Sequence, residues 1–442
     1  MQNSTSIRKK TINFIADPIT ADVEKIVYGG YGLVRTKEYG VILVPNTAPG
    51  DTVRITSIKK RKGVLHGQME NVLKSSEHRI SPFCIHFTKG CGGCQWQHIE
   101  YIEQTYIKKK IIEESMERIA KTKIILPPVI YDSQYKETRI RCVFHMSQKK
   151  PNVPEMGYYK LNTNEIVPIY ECPLCVSPIN QKLAVLQDNL HLLEHVNIVS
   201  MISNGKNVHV HIEGRGFARK KNIQEVHTLL NGQGRDSIGV SWSGEKGGCQ
   251  SIGPECIELI VDGWRYLANG ETFFQGHSTL NGKLIQIIKN VIGKREGGVL
   301  LDLFCGVGSF SIPFSSQFNK VVGIDNHKGS IRLAKESTKL NNADNIVFYR
   351  QNLESNECRI HESSADTVIL DPPRRGCTEI LLKNLITLNP FHIIMVSCNP
   401  ATMARDLKFL TENGYEMTSC HGIDLFPQTF HIETIVHLER VK

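Results

Sequence analysis

The sequence contains no long apolar segment. No run approaches the roughly 18 apolar residues that a membrane-spanning helix needs, and the start MQNSTSIRKKTINF has no apolar core of the signal-peptide kind. The chain also contains no long repeat and no low-complexity linker. These absences argue against a membrane protein, an exported protein and a repeat array. We expect a cytosolic chain, and its 442 residues correspond to roughly three compact domains.

The cysteine content is not matched by an export signal. The chain has 13 cysteines, and the cytosol keeps thiols reduced, so a disulfide framework is not expected. Metal binding and nucleophilic catalysis are therefore the roles to test for these thiols.

Positive charge is concentrated near the amino terminus. Residues 1–75 contain 12 Lys/Arg against 6 Asp/Glu, a surplus of +6 out of the total of +9, and they include the run KKRK at 59–62. A single basic run is commonly a solvated hairpin edge. The clustering of this charge in one segment instead favours a polyanionic partner.

Three regions of the chain differ in pattern. Residues 15–75 are short β-rich segments broken by Gly-Gly, Asn-Thr-Ala-Pro-Gly and Lys-Gly turns. They predict a small closed barrel of the OB type, which is a common RNA-binding shape. Residues 76–265 begin with a cysteine-rich segment, continue with a helical pattern over 101–120, and predict a central α+β domain. From 266 to 442, strands and helices alternate regularly, which predicts an α/β domain.

The third region has a recognisable order of elements. Strand-like runs lie at 299–305, 320–325, 345–349, 367–371, 392–397, 415–424 and 430–439. The first five belong to β-α units and the last two form a hairpin. This order resembles the Rossmann-like sheet of S-adenosylmethionine methyltransferases, in which the last strand inserts antiparallel between the fifth and the sixth.

A glycine-rich loop follows the first of these strands. The segment LLDLFCGVGSFSI places Gly306 and Gly308 at the mouth of a helix, where the backbone can approach a ligand. A Gly-x-Gly pair alone can be an ordinary tight turn. However, Asp302 precedes the first glycine by four residues, and Asp325 ends the next strand, where an acid commonly meets ribose hydroxyls. The loop continues to a phenylalanine and has no third glycine, which favours S-adenosylmethionine over a dinucleotide.

Two further strand ends carry reactive groups. VILDPPRRG places Asp371 after an apolar strand, and IIMVSCNPATMARDL places Cys398 between a strand and a helix. The alternative for Asp371 is a chance loop, and the alternative for Cys398 is a buried structural cysteine. A helix that begins at Pro400 is expected to lower the pKa of the thiol, and an antiparallel last strand would bring Glu433 to the same pocket. The sequence thus predicts a thiol and a carboxylate beside a methyl donor.

That pair of groups suits methylation of a pyrimidine carbon. Carbon 5 of uracil is too poor a nucleophile to react unaided. A thiolate that adds to carbon 6 creates an enolate, carbon 5 takes the methyl group, and a base removes the carbon 5 proton so that the thiol can leave.

Five motifs extend this interpretation to most of the chain. FFQ at 273–275, DLFCGVGSF, DPPRRG, SCNPATMARDL and FPQTFHIET occur in the order found in RNA uracil-5-methyltransferases. The chain resembles this family over nearly its whole length, and GGYGLVR…VPNTAPGDTVRI resembles the family's TRAM domain, an RNA-binding barrel. The resemblance implies Cys398 as the nucleophile and Glu433 as the base. It implies S-adenosylmethionine contacts by Gln275, Phe304, Ser309, Asp325, Asn352 and Asp371. Asp325 replaces the more usual glutamate, and Ser309 stands where asparagine is common.

A cysteine-rich segment suggests a metal centre. CIHFTKGCGGCQWQH supplies Cys84, Cys91 and Cys94, whose spacing suits an iron–sulfur cluster or a zinc site and does not choose between them. Iron–sulfur members of the resembled family carry this segment. The resemblance implies a 4Fe–4S cluster with Cys172 of IYECPLCV as the fourth ligand, and Cys175 is the competing ligand.

The sequence therefore predicts an enzyme that transfers methyl from S-adenosylmethionine to carbon 5 of a uridine in RNA, a carbon reached by flipping the base out. The barrel and the cysteine segment make the resemblance closest to the branch that acts on 23S ribosomal RNA, with transfer RNA as the alternative substrate. Two rivals remain. An exocyclic-amine methyltransferase would need no cysteine, and a non-catalytic RNA-binding iron–sulfur protein would not bind S-adenosylmethionine.

Overall fold

The computed structural model describes most of the chain. The described residues are 13–147, 154–215, 220–232, 237–245, 248–293, 297–355, 358, 360, 362 and 364–441. None of the helices in these ranges is long and apolar enough to cross a membrane.

The amino-terminal region is a closed five-stranded barrel, as predicted. Its strands are β1 (Asn13–Val27), β2 (Tyr31–Thr36), β3 (Gly40–Pro45), β4 (Thr52–Arg61) and β5 (Val64–Lys74). They join in the order β1-β2-β3-β5-β4. Val34 on β2, Ile42 on β3 and Ile55 on β4 are fully buried in the barrel core. Closure removes the free strand edges that a short open sheet would expose.

A short segment links the barrel to the rest of the molecule. It contains α1 (Ile85–Thr88) and α2 (Tyr101–Ser115), and α2 continues as a π-helical turn (Met116–Ala120). This matches the helix predicted over 101–120. The end of α2 and the π-helical turn pack on the carboxyl-terminal sheet, where Ile112 and Met116 are buried in its hydrophobic core.

The central region is a seven-stranded mixed sheet with helices on it. Its elements are β6 (Arg141–Ser147), β7 (Glu155–Tyr159), β8 (Ile166–Pro168), α3 (Ser177–Gln187), a 3₁₀ turn (Leu190–Leu193), β9 (Val196–Ser203), β10 (Val208–Gly214), α4 (Lys220–Asn231), β11 (Ile238–Gly244) and β12 (Cys249–Ile252). The strand order is β12-β11-β10-β9-β6-β7-β8. A separate hairpin follows, formed by β13 (Ile257–Val261) and β14 (Trp264–Ala268). The predicted boundary at residue 266 falls inside β14.

The carboxyl-terminal region is a second seven-stranded sheet. Its elements are α5 (Leu280–Ile292), β15 (Val299–Leu303), α6 (Ser311–Phe314), a 3₁₀ turn (Ser315–Gln317), β16 (Lys320–Asp325), α7 (Lys328–Leu340), β17 (Ile346–Arg350), β18 (Thr367–Leu370), α8 (Glu379–Leu388), β19 (His392–Ser397), α9 (Pro400–Thr411), β20 (Tyr415–Ile423) and β21 (Glu433–Arg440). The strand order is β17-β16-β15-β18-β19-β21-β20. The first five strands in this order are parallel, and β21 lies antiparallel between β19 and β20. The predicted Rossmann-like methyltransferase topology is therefore confirmed.

Apolar side chains cover both faces of this sheet. On β15, Leu301 and Leu303 belong to one hydrophobic cluster, whereas Leu300 belongs to the cluster on the opposite face. Every residue of β19 is buried, which explains why its sequence HIIMVS is an almost continuous apolar run. Because these five strands are parallel, their carboxyl ends meet at one edge of the sheet, where ligands of such sheets bind.

Candidate active site

The glycine-rich loop leaves β15 at this edge. Phe304 follows the strand with a φ of 64°, and Gly306 and Gly308 have φ values of 54° and 85°. A Cβ atom on Gly308 would lie 3.1 Å from the ring of Phe348, so a larger residue there would also have to displace a buried ring. A left-handed conformation at a bulky residue such as Phe304 costs energy and is found mostly at functional sites.

Asp325 at the end of β16 is fixed to the glycine loop. Its Oδ2 accepts a hydrogen bond from the Gly306 N–H (3.0 Å), and its Oδ1 accepts one from the His327 N–H (2.8 Å). Its carboxylate is therefore held at the strand end by backbone donors, and the shorter side chain reaches the loop without a glutamate's extra methylene.

Two further carboxyl groups lie near Asp325. Asp302 on β15 is fully buried; its Oδ2 accepts hydrogen bonds from the Ser311 N–H and Oγ, while its Oδ1 has no partner among the described residues. Burial and, to a smaller extent, Asp325 raise the pKa of Asp302 to about 7. Burial and then Asp302 raise the pKa of Asp371 to about 7 as well. Three acids confined in this way favour a positively charged ligand group.

The remaining candidate cofactor contacts are spread along the same edge. Gln275 is buried and its side chain is hydrogen-bonded to Asp371, while its Oε1 has no partner within the described ranges. Ser309 lines a small apolar pocket with Gln275, and its carbonyl oxygen accepts a hydrogen bond from Tyr266 (3.2 Å). Asn352 is exposed two residues after β17, and its Oδ1 accepts a hydrogen bond from the Glu354 N–H.

Cys398 and Glu433 meet at the same edge. Ser397 and Thr434 form the last pair of the β19–β21 ladder, so Cys398 and Glu433 occupy the next positions on the two strands. Glu433 is 1% exposed, and within the described part of the chain its Oε1 has no hydrogen-bond partner. Burial, followed by the charge of Asp371, holds the pKa of Glu433 well above its usual range.

The electrostatics of Cys398 differ from the prediction. The α9 helix does begin at Pro400, with the Asn399 side chain accepting a hydrogen bond from the Ala401 N–H. However, burial and the neighbouring Glu433 raise the pKa of the Cys398 thiol to about 11. The expectation of a lowered pKa was wrong, because desolvation and a nearby carboxylate both disfavour the thiolate.

The cysteine-rich segment forms a second cluster of candidate ligands. Cys84, Cys91, Cys94 and Cys172 line one pocket together with Arg139. A zinc ion would hold four thiolate sulfurs roughly 3.8 Å apart, yet in the described part of the chain no three of these sulfurs lie within 4.8 Å of one another. Four thiols that line one pocket are nevertheless a donor set that either a zinc ion or an iron–sulfur cluster can take.

The competing ligand is oriented differently. Cys175 is fully buried, does not line that pocket, and has its Sγ 2.9 Å from the Sγ of Cys142. Cys175 is also hydrogen-bonded to Cys172, and all three cysteines pack in the core of the central sheet.

Comparison with known proteins identifies the family. A family model described as tRNA (Uracil-5-)-methyltransferase matches residues 255–441. An Aquifex aeolicus protein, described as an uncharacterized RNA methyltransferase, is 33% identical over 96% of this chain and 98% of its own length. The 23S rRNA (uracil(1939)-C(5))-methyltransferase RlmD of Aliivibrio fischeri is 26% identical over 98% of both chains.

The chain belongs to the RNA uracil-5-methyltransferase family. It is an S-adenosylmethionine-dependent RNA methyltransferase, as predicted. Its fold is shared with the Pyrococcus abyssi tRNA (uracil-54, C5)-methyltransferase in complex with S-adenosyl-L-homocysteine, at a TM-score of 0.72 and 23% identity over 95% of this chain and 100% of that one.

The methyltransferase site includes groups that sequence reasoning left without a role. Arg374 of DPPRRG donates from its Nη2 to His431 Nε2 (3.1 Å) and is hydrogen-bonded to the Cys398 side chain. Burial and the Arg374 charge lower the pKa of His431 to about 3. Both residues lie within the quoted motifs, so the motifs located them, but only the fold brings them to Cys398.

Proposed function

We propose that this methyltransferase modifies carbon 5 of a uridine in 23S ribosomal RNA through a covalent adduct of Cys398. One observation carries the proposal: Cys398 and the buried Glu433, whose Oε1 has no partner among the described residues, stand side by side at the strand edge that also holds the glycine loop. A nucleophilic thiol and a desolvated carboxylate are the two groups that methylation of a pyrimidine carbon requires.

The residues divide the reaction between them. Cys398 gives its proton to solvent water, and the thiolate sulfur adds to carbon 6, which makes carbon 5 nucleophilic. S-adenosylmethionine, when bound, supplies the methyl group that carbon 5 takes. Glu433 then removes the carbon 5 proton, the double bond re-forms, and the Cys398 sulfur leaves as the thiolate. Arg374, hydrogen-bonded to Cys398, stabilises negative charge on that sulfur.

The proposed cofactor pocket lies at the same edge of the sheet. The residues that we propose to hold S-adenosylmethionine are Gln275, Phe304, Ser309, Asp325, Asn352 and Asp371. The proposal is supported by the strained Phe304 backbone, by the Gln275 Oε1, which has no partner among the described residues, and by the three confined acids, which suit the sulfonium charge.

The RNA class rests on the sequence relatives. The RlmD proteins match this chain over nearly their full lengths, which favours ribosomal RNA and a cytoplasmic location. The architecture does not separate the two substrates, because a tRNA methyltransferase shares the fold over 95% of this chain. The basic barrel of residues 15–75 is proposed to bind the RNA backbone, since phosphate contacts dominate such affinity.

The cysteine pocket is proposed to hold a 4Fe–4S cluster. Its proposed ligands are Cys84, Cys91, Cys94 and Cys172, a choice supported by the one pocket that these four thiols line.

Mapping of 5-methyluridine in a gene-deletion strain tests the substrate. We expect one uridine in 23S ribosomal RNA to lose its methyl group, and plasmid-borne wild-type enzyme, but not Cys398→Ala, to restore it. Loss at a transfer RNA position instead would select the alternative substrate. Loss of a methylated exocyclic amine, restored by Cys398→Ala, would select an amine methyltransferase.

A further inference from the structure

The turn between β1 and β2 of the barrel is docked on the active-site loop. Tyr28, Gly29 and Gly30 form this turn, and the two glycines have φ values of 101° and 84°. A Cβ atom on Gly30 would lie 3.2 Å from the Phe430 ring. The Tyr28 ring meets the Phe430 ring edge-on, with the two centroids 5.5 Å apart at 88°. The barrel therefore touches the loop that leads directly into Glu433.

The Tyr28 hydroxyl reaches the backbone of Cys398. It donates a hydrogen bond to the Cys398 carbonyl oxygen at 3.3 Å, across 370 positions of sequence. This carbonyl stands outside the hydrogen-bond ladder of α9, whose first acceptor is the carbonyl of Asn399, bonded to the Met403 N–H (3.1 Å). A junction between a strand and a helix has few backbone restraints of its own, so one added donor limits how the Cys398 backbone can rotate.

The surroundings keep Tyr28 in its donating form. Burial, followed by the Cys398 charge, raises the pKa of Tyr28 to about 12. The phenol thus retains its proton throughout the neutral range. Its position among Cys398, Arg374 and Glu433 places a barrel residue in the same electrostatic environment as the reacting groups.

We propose that Tyr28 is a positioning residue of the methyl-transfer reaction, through which the amino-terminal barrel fixes the backbone of Cys398 for attack on carbon 6. The inference rests on the proposed role of Cys398 as the nucleophile. It gives the barrel a second task besides RNA binding: the active site is complete only when the barrel is docked.

Full-length Tyr28→Phe and Tyr28→Ala enzymes test this role. Phenylalanine keeps the ring contact with Phe430 and removes only the hydroxyl. Tyr415→Phe is the matched control, because the buried Tyr415 hydroxyl also donates to a backbone carbonyl, that of Pro390 (2.9 Å), at the opposite end of the sheet. The substrate is the RNA fraction from a deletion strain that wild-type enzyme methylates, with radiolabelled S-adenosylmethionine.

We expect Tyr28→Phe to lower kcat by about three- to tenfold, the range that loss of one neutral hydrogen bond produces. The KM for RNA and the calorimetric Kd for S-adenosylmethionine should stay within about twofold of wild type, and Tyr415→Phe should keep the wild-type kcat. A purely structural role would not separate kcat from KM in this way.

Three results would overturn the inference. Wild-type kcat in Tyr28→Phe, with a loss confined to Tyr28→Ala, would assign the effect to ring packing. A raised KM at unchanged kcat would make Tyr28 an RNA contact. An equal loss in Tyr415→Phe would remove the specificity of the site. Activity in Cys398→Ala, measured in parallel, would instead refute the proposed nucleophile, so the two failures are distinguishable.

Discussion

The buried pair of Lys108 and Asp424 tests how helix α2 supports the active site. Both side chains are 0% exposed, and Lys108 Nζ lies 2.6 Å from Asp424 Oδ1. The Asp424 carboxylate also accepts hydrogen bonds from the Tyr101 hydroxyl and the Phe426 N–H. Lys108→Met would leave this carboxylate buried without its cation, and breaking a buried ion pair from one side costs about 3–5 kcal/mol.

The assay combines urea unfolding with hydrogen exchange of residues 424–432, the loop between β20 and β21. Lys108→Met should lower the urea midpoint and speed exchange in this loop, and Lys108→Met with Asp424→Asn should recover part of the loss, because the uncompensated charge is gone. Lys110→Met is the matched control on α2, since the Lys110 side chain, which is paired with Glu113, is 47% exposed. An unchanged midpoint in Lys108→Met, or the same loss in Lys110→Met, would refute the reasoning.

Three further predictions concern the thiol, the cofactor pocket and the cluster. Alkylation of Cys398 by iodoacetamide, followed by peptide mass spectrometry, should speed up about tenfold per pH unit from 7 to 10, because its pKa is about 11; a plateau below pH 9 would contradict this. Because the pKa of Asp371 is about 7, its protonation should weaken binding of cationic S-adenosylmethionine as the pH falls from 8 to 6. Asp371→Asn should reduce this dependence, and calorimetry with S-adenosylhomocysteine, which lacks the sulfonium charge, should show a smaller one; equal slopes for both ligands would count against the acidic pocket. Anaerobically purified protein should contain iron that Cys172→Ser loses and Cys175→Ser retains, whereas stoichiometric zinc without iron would rule out the cluster.

Much of the carboxyl-terminal sheet could be predicted because its strands are uninterrupted apolar runs. The run at 392–397 matches β19 residue for residue. The last strand was predicted from 430 but begins at Glu433, because Phe430 and His431 instead pack against each other in the preceding loop, with ring centroids 4.1 Å apart. The meeting of Cys398 and Glu433 also followed from the sequence, since an antiparallel last strand starts where the fifth strand ends.

The remaining features depend on contacts that no local pattern encodes. Lys108 and Asp424 are 316 positions apart, and on an amphipathic helix a lysine is ordinarily expected to face solvent. From the sequence, Tyr28 in its glycine-rich turn would be assigned only to the barrel, whereas in the structure its hydroxyl contacts Cys398. The raised pKa of Cys398 likewise results from burial and from Glu433. The sequence indicated only the helix that follows Cys398, which by itself predicts a lowered pKa.

Trapping of the covalent intermediate tests the central claim most directly. Glu433→Gln keeps the shape of the side chain and removes its basicity, so sulfur addition and methyl transfer should proceed while the carbon 5 proton stays in place. With labelled RNA and S-adenosylmethionine, a denaturing gel should show methylated RNA attached to the Glu433→Gln protein and no such band for Cys398→Ala. An adduct that persists without Cys398, or full turnover without Glu433, would contradict the assignment of the chemistry to this pair.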